Sequence, residues 1–411
     1  MTRTKKHYLP AGLFVVAMLS VGPMVCADSI TRWNVAACDI VTGAKLGTPP
    51  ANRVLAIVHT AAYEAVNAIT KRYPDSGRRL EAEPGDSIDA AVAAACHAAL
   101  VKLVPSQETA IDSAYHEVLA SITDGTAKNA GIAVGEKAAA AILALRSDDG
   151  AAAGETYRPH ATAGVYVPTV IPIVSQWPQR KPWLMTSPSQ FRPGPPPALT
   201  SELWARDYNE IKTIGSKNSN RRTAEQAEIA LFWETTLPSV YHGVVRSVAA
   251  MPGREITQNA RLFAAVTQAI DDAMIAVFDA KYYYNLWRPV TAIRNGDIDG
   301  NDATERDPSW TPFIETPMHP EYPCAHCIVA AAVSVVLQAE IGTAATPNLT
   351  TTSTTANGAA RSWIEFDDLV QEVANARIYD GVHYRNSTEV GTAMGKQIGS
   401  LAVSKFLLPS K

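Results

Sequence analysis

Two cationic side chains stand at the end of a long apolar, helix-patterned stretch. Lys281 and Arg288 lie seven positions apart, which is nearly two helical turns, so a continuous helix would place both on one face. Pro289 disfavours helical geometry at the residue before it, so we expect the helix to end near Arg288. Two cations on one face repel each other unless an anion or carboxylates lie between them. The pair therefore indicates either an anion-binding face or a solvated basic surface.

A histidine follows at the start of the next apolar segment. The sequence Pro323-Cys324-Ala325-His326 precedes an apolar run over residues 328–337, and a proline just before such a run marks the first turn of a helix. Free backbone N–H groups and the helix dipole make a helix N-terminus a binding site for anions. His326 would then donate or accept a proton near the bound anion, although a histidine at a helix start can equally be structural.

A second histidine follows a third cation. Arg377 and His383 are six positions apart, which is not a same-face helical spacing, but Gly381 between them predicts a helix C-terminus. Asn386, with Glu389 three positions later, predicts the N-cap of the final helix. We therefore expect His383 on a turn between two helices, where a ring nitrogen can face a cavity.

These segments together supply one lysine, two arginines, two histidines and a helix N-terminus. That set suits a phosphate-like oxyanion with three charged oxygens, because guanidinium, ammonium and backbone N–H groups all donate hydrogen bonds to such oxygens. The segments lie far apart in the chain, so the fold has to bring them together.

The elements that position these residues are predicted to be helices almost throughout, because apolar residues recur with a helical period. The stretches expected to be helical are residues 54–69, 87–104, 106–122, 128–147, 200–216, 222–236, 256–287, 325–342, 360–380 and 387–406. Proline-rich residues 150–200 predict a long loop, and residues 343–358, rich in Thr, Ala and Asn, predict a surface loop. Strand alternation with hairpin turns is not evident. The predicted fold class is all-α, a helical bundle with long loops.

Three glycines on the last predicted helix indicate how it packs. Gly391, Gly395 and Gly399 lie four positions apart, so they share one helix face. We expect this face to let another helix approach closely. The segment is too polar for the membrane dimer motif that has the same spacing.

Length and charge limit the classes of function. The chain has 411 residues, with 36 Lys and Arg against 40 Asp and Glu, which gives a formal net charge of −4. This balance excludes a nucleic-acid binder that depends on phosphate contacts. With 47% hydrophobic and 18% charged residues, the composition is that of a globular protein.

The N-terminus has the pattern of a secretory signal. Three basic residues precede an apolar run that ends at Ala27 in a small-residue cleavage site. We therefore expect residues 1–27 to be a signal peptide and residues 28–411 a single all-α domain, exported to the periplasm or secreted. An uncleaved anchor is the alternative. After cleavage, no remaining stretch has the roughly 18 uninterrupted apolar residues of a membrane span.

The three chemical segments match the motifs of a known superfamily. Their patterns are Lys281-x6-Arg288-Pro289, Pro323-Cys324-Ala325-His326 and Arg377-x5-His383. In this order they resemble the type 2 phosphatidic acid phosphatase and vanadium-dependent haloperoxidase superfamily. The flanks HPEYP and RVLAIVHTAAYEAVNAI look like its bacterial haloperoxidase-like branch. The motif core covers about residues 256–406, and the resemblance implies a helical bundle with the oxyanion at its centre.

The resemblance implies a vanadate cofactor and a role for each matched residue. His383 would bind the vanadium of vanadate, and Lys281, Arg288 and Arg377 would neutralise its equatorial oxygens. His326 would be the acid–base residue that assists hydrogen peroxide, with halide or a small organic molecule as the substrate.

Two alternatives stay open on the same set of residues. In phosphatase members of the superfamily, the residue matching His383 is a nucleophile that forms a phosphohistidine, and phosphate occupies the site. His326 would then protonate the leaving group. The other alternative is a relative that binds an oxyanion without turnover. A homo-oligomer is compatible with all three readings.

Three positions depart from the superfamily pattern. Cys324 and Ala325 stand at the cofactor-binding positions where the family has a Ser-Gly pair, and a thiol is a weaker hydrogen-bond donor than a hydroxyl. Cys327 lies three residues further on, so a disulfide with Cys324 is geometrically feasible. Ser387 stands where phosphatase members carry the aspartate that orients the nucleophilic histidine, here His383.

Overall fold

The computed structural model describes residues 27–74, 77, 80–234 and 238–407. The predicted signal peptide, residues 1–27, lies outside the described residues except for Ala27. The prediction about this segment therefore stays a prediction.

The fold is all-α, as the periodicity predicted, with one short hairpin. The helices are α1 Ser29–Gly43, α2 Thr48–Thr70, α3 Ile88–Leu103, α4 Glu108–Ala120, α5 Thr126–Leu145, α6 Glu202–Ile214, α7 Ala224–Phe232, α8 Pro238–Ala249, α9 Ile256–Tyr284, α10 Pro289–Arg294, α11 Ala325–Ile341, α12 Phe366–Tyr379 and α13 Arg385–Phe406. The strands are β1 Leu349–Ser353 and β2 Ala359–Trp363. Helices α1, α8 and α10 were not predicted.

Several helices begin at polar caps that the sequence supplies. Asp28 accepts a hydrogen bond from the Thr31 N–H at 2.8 Å and starts α1. Thr223 and Gln226 form a reciprocal capping box at the start of α7. These local bonds satisfy N–H groups that have no partner inside the helix.

The helices form two packed groups that meet at α2 and α9. In the first group α3 packs between α2 and α5, and in the second α11 packs against α13, α9 and α12. Helix α2 lies against α9, whose side chains are buried along almost the whole helix. One hydrophobic core runs through both groups, from Ile30 in α1 to Ala402 in α13. The central position of α9 is what places its C-terminal end, and Lys281 with it, inside the molecule.

The glycine face of α13 packs against α11, which confirms the predicted close approach. A Cβ atom added at Gly395 would lie 2.2 Å from the carbonyl oxygen of Ile328, and one at Gly391 would lie 2.6 Å from that of Cys324. Only glycine allows the two backbones to approach this closely. The contact fixes the N-terminal end of α11 against the start of α13.

The predictions for residues 343–358 and 360–380 were partly wrong. Strands β1 and β2 pair antiparallel there, with Leu349 opposite Trp363, and α12 begins only at Phe366. Leu349, Thr351 and Ser353 are buried on one face of β1. Thr351 packs directly on Gly243 of α8. This tertiary contact favours the strand, and it is not readable from local periodicity.

Residues 150–200 form the predicted long loop, with a single turn of 3-10 helix at Trp177–Gln179. Two buried aspartates of α9 hold it. Asp271 pairs with Arg180 at 2.6 Å, and Asp272 accepts backbone N–H groups from Trp183, Leu184 and Met185. Burial raises the pKa of Asp272 to about 6, although these hydrogen bonds oppose it. The loop is therefore fixed against the central helix and closes one side of the candidate site.

Among the described residues, no single helix combines the length and apolarity needed to cross a bilayer. The segments Ile88–Leu103 and Pro105–Ala120 meet these criteria only as a pair, with a bend of 115° between them.

Candidate oxyanion-binding site

Lys281 and Arg288 are close together, but not on one helix face as predicted. Helix α9 ends at Tyr284 because Asn285 takes a left-handed conformation, with a φ of 52°. Arg288 is the N-cap residue of the separate helix α10. Residues of the long loop pair with this break, since the Trp287 N–H donates to the Gly164 carbonyl at 2.9 Å. The chain reversal, rather than helical periodicity, turns both cations inward.

Each of these cations is fully buried and bonded to backbone carbonyls. The Lys281 ammonium donates to the carbonyls of Pro320 and Glu321 at 3.0 and 2.6 Å. Arg288 donates through Nε to the His319 carbonyl at 2.8 Å and through Nη1 to the Val382 carbonyl at 2.9 Å. Arg288 thereby ties the segment before α11 to the turn that carries His383. The solvated basic surface is excluded.

The N-terminus of α11 brings the second segment to the same place. Cys324 is the N-cap residue, and its Sγ accepts the Cys327 N–H at 3.3 Å. Ala325 begins the helix, and His326 lies in its first turn, as predicted. The Nε2 atom of His326 is buried and has no hydrogen-bond partner among the described residues. Cys324 and Cys327 are both free thiols, so the structure does not contain the disulfide considered from their spacing.

The third segment has the predicted break. Helix α12 ends at Tyr379, and Gly381 has a φ of +81°. A Cβ atom there would also lie 2.3 Å from the Gly215 carbonyl oxygen, so glycine is required twice over. The turn folds back so that the His383 N–H donates to the Arg377 carbonyl at 3.2 Å. His383 and Arg377 are consequently brought together between α12 and α13.

The predicted cap of the final helix was wrong. Helix α13 begins at Arg385 with Tyr384 as its N-cap, and no side chain caps it. The Asn386 N–H instead donates to Asp207 of α6 at 2.7 Å. A carboxylate of another helix therefore accepts a first-turn N–H of α13, where the Asn386 side chain was predicted to be the acceptor. Sequence spacing does not reveal such a partner.

Two carboxylates at the site were missed. Glu321 accepts from Nδ1 of His383 at 2.7 Å and from the Tyr384 N–H at 3.1 Å. Asp380 forms an ion pair with Nη1 of Arg377 at 2.5 Å. Both side chains are completely buried. Glu321 could have been suspected from its place inside HPEYP, since an acidic residue between two prolines is unusual for a buried segment.

Glu321 lies where it can orient the ring of His383, the role for which Ser387 is not suited. The Ser387 hydroxyl, at the position of the phosphatase aspartate, lies 3.4 Å from His383 Nδ1, at the outer limit of a hydrogen bond. The Glu321 carboxylate is much closer to the same atom. A carboxylate beside Nδ1 accepts a hydrogen bond from the Nδ1–H group, so the ring proton stays on Nδ1 and Nε2 is unprotonated.

Burial dominates the electrostatics of the site. Desolvation lowers the pKa of Lys281 well below its usual range, and the nearby charge of Arg288 lowers it further. Desolvation also lowers the pKa of Arg288 to about 10 and the pKa values of His326 and His383 well below 6.5. Cations held in this way are stabilised by any anion that enters. Both imidazoles are neutral near pH 7, so each has a nitrogen that can accept a proton or bind a metal.

A cavity of about 300 Å³ leads to these groups. His326, His383 and Arg377 line its inner end, together with Ala325. Its remaining walls are mainly apolar, formed by Ile173, Met274, Phe278, Ile314, Pro317 and Met318, with Glu234 and Glu315 also lining it. We call the three cations Lys281, Arg288 and Arg377 with the two histidines His326 and His383 the oxyanion site.

Together, the all-α fold and this cluster of buried cations and histidines define a helical-bundle protein with a buried cationic site. Residues 261–408 match the family of the VCPO second helical-bundle domain. A vanadium chloroperoxidase of Curvularia inaequalis is 25% identical over 181 residues, which is 36% of this chain and 29% of that protein. The aligned region thus spans under a third of that relative.

Solved structures share the fold over nearly the whole chain. A structure described as the first bacterial vanadium-dependent iodoperoxidase superposes with a TM-score of 0.80 at 24% identity, covering 93% of this chain and 97% of the other. A holo-type bacterial vanadium-dependent chloroperoxidase has a TM-score of 0.69 at 18% identity, with coverage of 87% and 92%. The resemblance to the vanadium-dependent haloperoxidase superfamily is therefore confirmed.

Proposed function

We propose that this protein is a vanadate-dependent, haloperoxidase-like oxidoreductase that uses hydrogen peroxide to oxidise a halide or a small organic substrate. The observation that carries the proposal is a cavity lined by one buried cation and two neutral histidines, with two further buried cations bonded to the backbone beside them. An oxyanion is the ligand that such a set of donors fits.

The residues present fit vanadate. The Nε2 atom of His326 and the Nε atom of Arg377 are buried without hydrogen-bond partners among the described residues, and unpaired buried donors or acceptors are costly unless a ligand satisfies them. His383 would hold the vanadium through Nε2, and the three cations would hold the vanadate oxygens. The N-terminus of α11, where Cys324 is the N-cap and Ala325 the first residue, would contribute the helix dipole and first-turn N–H groups, although the Cys324 N–H itself donates to the Ser387 carbonyl. Bound vanadate would supply activation of hydrogen peroxide for a two-electron oxidation.

The protein's own groups prepare this chemistry. Glu321 fixes the ring of His383 and leaves Nε2 unprotonated, 3.4 Å from Nη1 of Arg288. His326, with its neutral ring and unpaired Nε2, is suited to accept a proton from a peroxide that enters the cavity. The apolar walls exclude water from the cations and strengthen their interaction with the anion.

The phosphatase reading keeps one specific observation in its favour. A phosphohistidine mechanism needs a carboxylate to orient the nucleophilic ring, and Glu321 supplies one to His383 at 2.7 Å although Ser387 does not. The departure at Ser387 therefore no longer counts against this alternative.

Metal analysis and activity after vanadate reconstitution test the proposal. Halide oxidation by peroxide that depends on vanadate would support it. Phosphate release without vanadate, with vanadate acting as an inhibitor, would support the phosphatase instead. An oxyanion that binds without either turnover would leave a binding protein. In each case His383→Ala should abolish vanadate binding or phosphohistidine formation, and unchanged activity in this variant would refute the role of His383.

We also propose that the protein is exported, to the periplasm or beyond. Asp28, the residue that follows the expected cleavage site, caps the first helix, so cleavage there would leave the described fold intact. N-terminal sequencing of the protein recovered outside the cytoplasm should begin at Asp28. A retained residue 1–27 segment would contradict this.

A further inference from the structure

Two thiols lie in a single helical turn beside the oxyanion site. Cys324 caps α11, and Cys327 lies three residues further on, with its N–H donating to the Cys324 Sγ at 3.3 Å. Both are fully buried and reduced. Two cysteines at this spacing in the first turn of a helix can form a disulfide without moving the backbone far.

The surroundings make Cys324 the reactive member of the pair. Burial raises the pKa of Cys324, but the hydrogen bonds from Cys327 and the charges of Arg377 and Lys281 outweigh it and leave that pKa below the usual value. Burial raises the pKa of Cys327 well above its usual range. A thiolate at a helix N-terminus next to cations is the common setting of redox-active cysteines, with a neutral thiol as the resolving partner.

The other two cysteines of the described chain lack this setting. Cys38 and Cys96 are also buried, in α1 and α3, and burial raises the pKa of each thiol. Neither is at a helix N-terminus. They are internal controls, because nonspecific oxidation would affect them as much as it affects Cys324 and Cys327.

The cavity reaches the chain neighbours of Cys324, although the thiol itself is not part of its lining. Ala325 and His326 line the cavity, as does Arg377, whose charge acts on the thiol. Whatever enters to reach the oxyanion site therefore comes within one residue of Cys324.

We propose that Cys324 and Cys327 are a redox-active dithiol that a hydroperoxide converts to a disulfide, and that this disulfide weakens oxyanion binding. The Cys324 thiolate would attack one peroxide oxygen, breaking the O–O bond to give a sulfenic acid and hydroxide from hydrogen peroxide. The Cys327 thiol then displaces that oxygen as water and forms the S–S bond. Overall, two thiols are oxidised and one peroxide is reduced to two waters. A dithiol reductant reverses the change.

The disulfide affects binding because of where Cys324 lies. Its side chain occupies the helix cap next to the expected position of the oxyanion oxygens. The protonated form of the thiol can donate its S–H there, whereas the disulfide has no such donor and turns the sulfur toward Cys327. Losing one hydrogen bond of this kind lowers affinity by about fivefold. This consequence depends on the proposed oxyanion site, whereas formation of the disulfide does not.

The test uses the full chain, reduced and then freed of reductant. One equivalent of hydrogen peroxide should lower the intact mass by two hydrogens, and peptide mapping should link Cys324 to Cys327 while Cys38 and Cys96 still react with an alkylating reagent. Phosphate affinity, measured by calorimetry, should fall about fivefold and recover with a dithiol reductant. Equal oxidation of Cys38, Cys96, Cys324 and Cys327, or a disulfide that leaves phosphate affinity unchanged, would overturn the proposal.

Cys327→Ser is the matched variant. It keeps the backbone N–H that donates to Cys324, so phosphate should bind the reduced variant as it binds the wild type. Peroxide should then leave a sulfenic acid on Cys324 that a 1,3-dione probe traps, and trapping on Cys38 instead would contradict the assignment. If the reduced wild type binds no phosphate, the oxyanion site itself fails, whereas the disulfide map still reports on the thiols.

Discussion

The buried contact between Glu321 and His383 allows a test of how the histidine is prepared. Glu321→Gln removes a negative charge from a side chain that is completely buried and 2.7 Å from His383 Nδ1. One oxygen of Glu321, Oε1, accepts from both His383 Nδ1 and the Tyr384 N–H, and a glutamine oxygen in its place can keep both bonds, so the fold should survive. Being uncharged, the amide oxygen accepts the Nδ1 proton more weakly, which makes Nε2, the atom that must bind vanadium, less basic.

Two effects of this substitution oppose each other, and the ratio of vanadate affinity to phosphate affinity separates them. Loss of the carboxylate makes the site more positive, which favours every oxyanion, phosphate and vanadate alike. Loss of basicity at Nε2 weakens only a ligand that bonds to Nε2, which is vanadate. Removal of a partner that orients a metal-binding histidine costs about 10- to 100-fold in affinity, or about 1.4–2.7 kcal/mol.

We therefore expect the ratio of vanadate affinity to phosphate affinity to fall about 10- to 100-fold in Glu321→Gln. Calorimetric titration of the variant with each anion measures it, and thermal unfolding checks that the variant is folded. Ser387→Ala is the control, because its hydroxyl lies 3.4 Å from the same nitrogen and should change the ratio less than about threefold. A folded Glu321→Gln protein with the wild-type ratio would refute the positioning role of Glu321.

Two further predictions concern stability. Gly395→Ala should lower the free energy of unfolding by about 1–3 kcal/mol, because the new Cβ would lie 2.2 Å from the Ile328 carbonyl oxygen. Gly85→Ala, where a Cβ meets nothing within 4 Å, is the control in the same urea titration, and equal losses would contradict the packing argument. Burial raises the pKa of Asp380 to about 7 although Arg377 lowers it, so the folded state holds the proton more tightly than the unfolded state. This contribution to stability should be present below about pH 4 and be lost as the pH rises to about 7. Asp380→Asn should flatten the pH dependence of the unfolding free energy in that window, and an unchanged slope would show that Asp380 does not titrate there.

Local signals in the sequence were sufficient for most helices and for part of the site. The apolar period identified α2 to α7, α9 and α11 to α13, because each buries one face or more in the core. The exceptions at the boundaries are α2, which begins earlier than predicted at Thr48, and α12, which begins later at Phe366. Gly381 marked the end of α12, since a residue with positive φ at that point strongly favours glycine. The motif spacing also singled out the three cations and two histidines that the structure buries near one another, while their roles toward an oxyanion stay predictions.

Partners from distant segments were not visible in the sequence. Helix α9 ends before Arg288 because Gly164 of the long loop accepts a hydrogen bond from the Trp287 N–H. This bond competes with further helical hydrogen bonds. Thr351 lies in a strand because Gly243 of a separate helix, having no side chain, leaves space for the threonine to pack against it.

The two carboxylates show the same division most clearly. Nothing in the spacing of Glu321 and His383, which are 62 positions apart, indicates that they share a proton. Composition and periodicity determine which faces are buried and which charges are available. Only the packed tertiary structure decides which buried charges meet, because desolvation selects pairs by their distance in space and not by their separation along the chain.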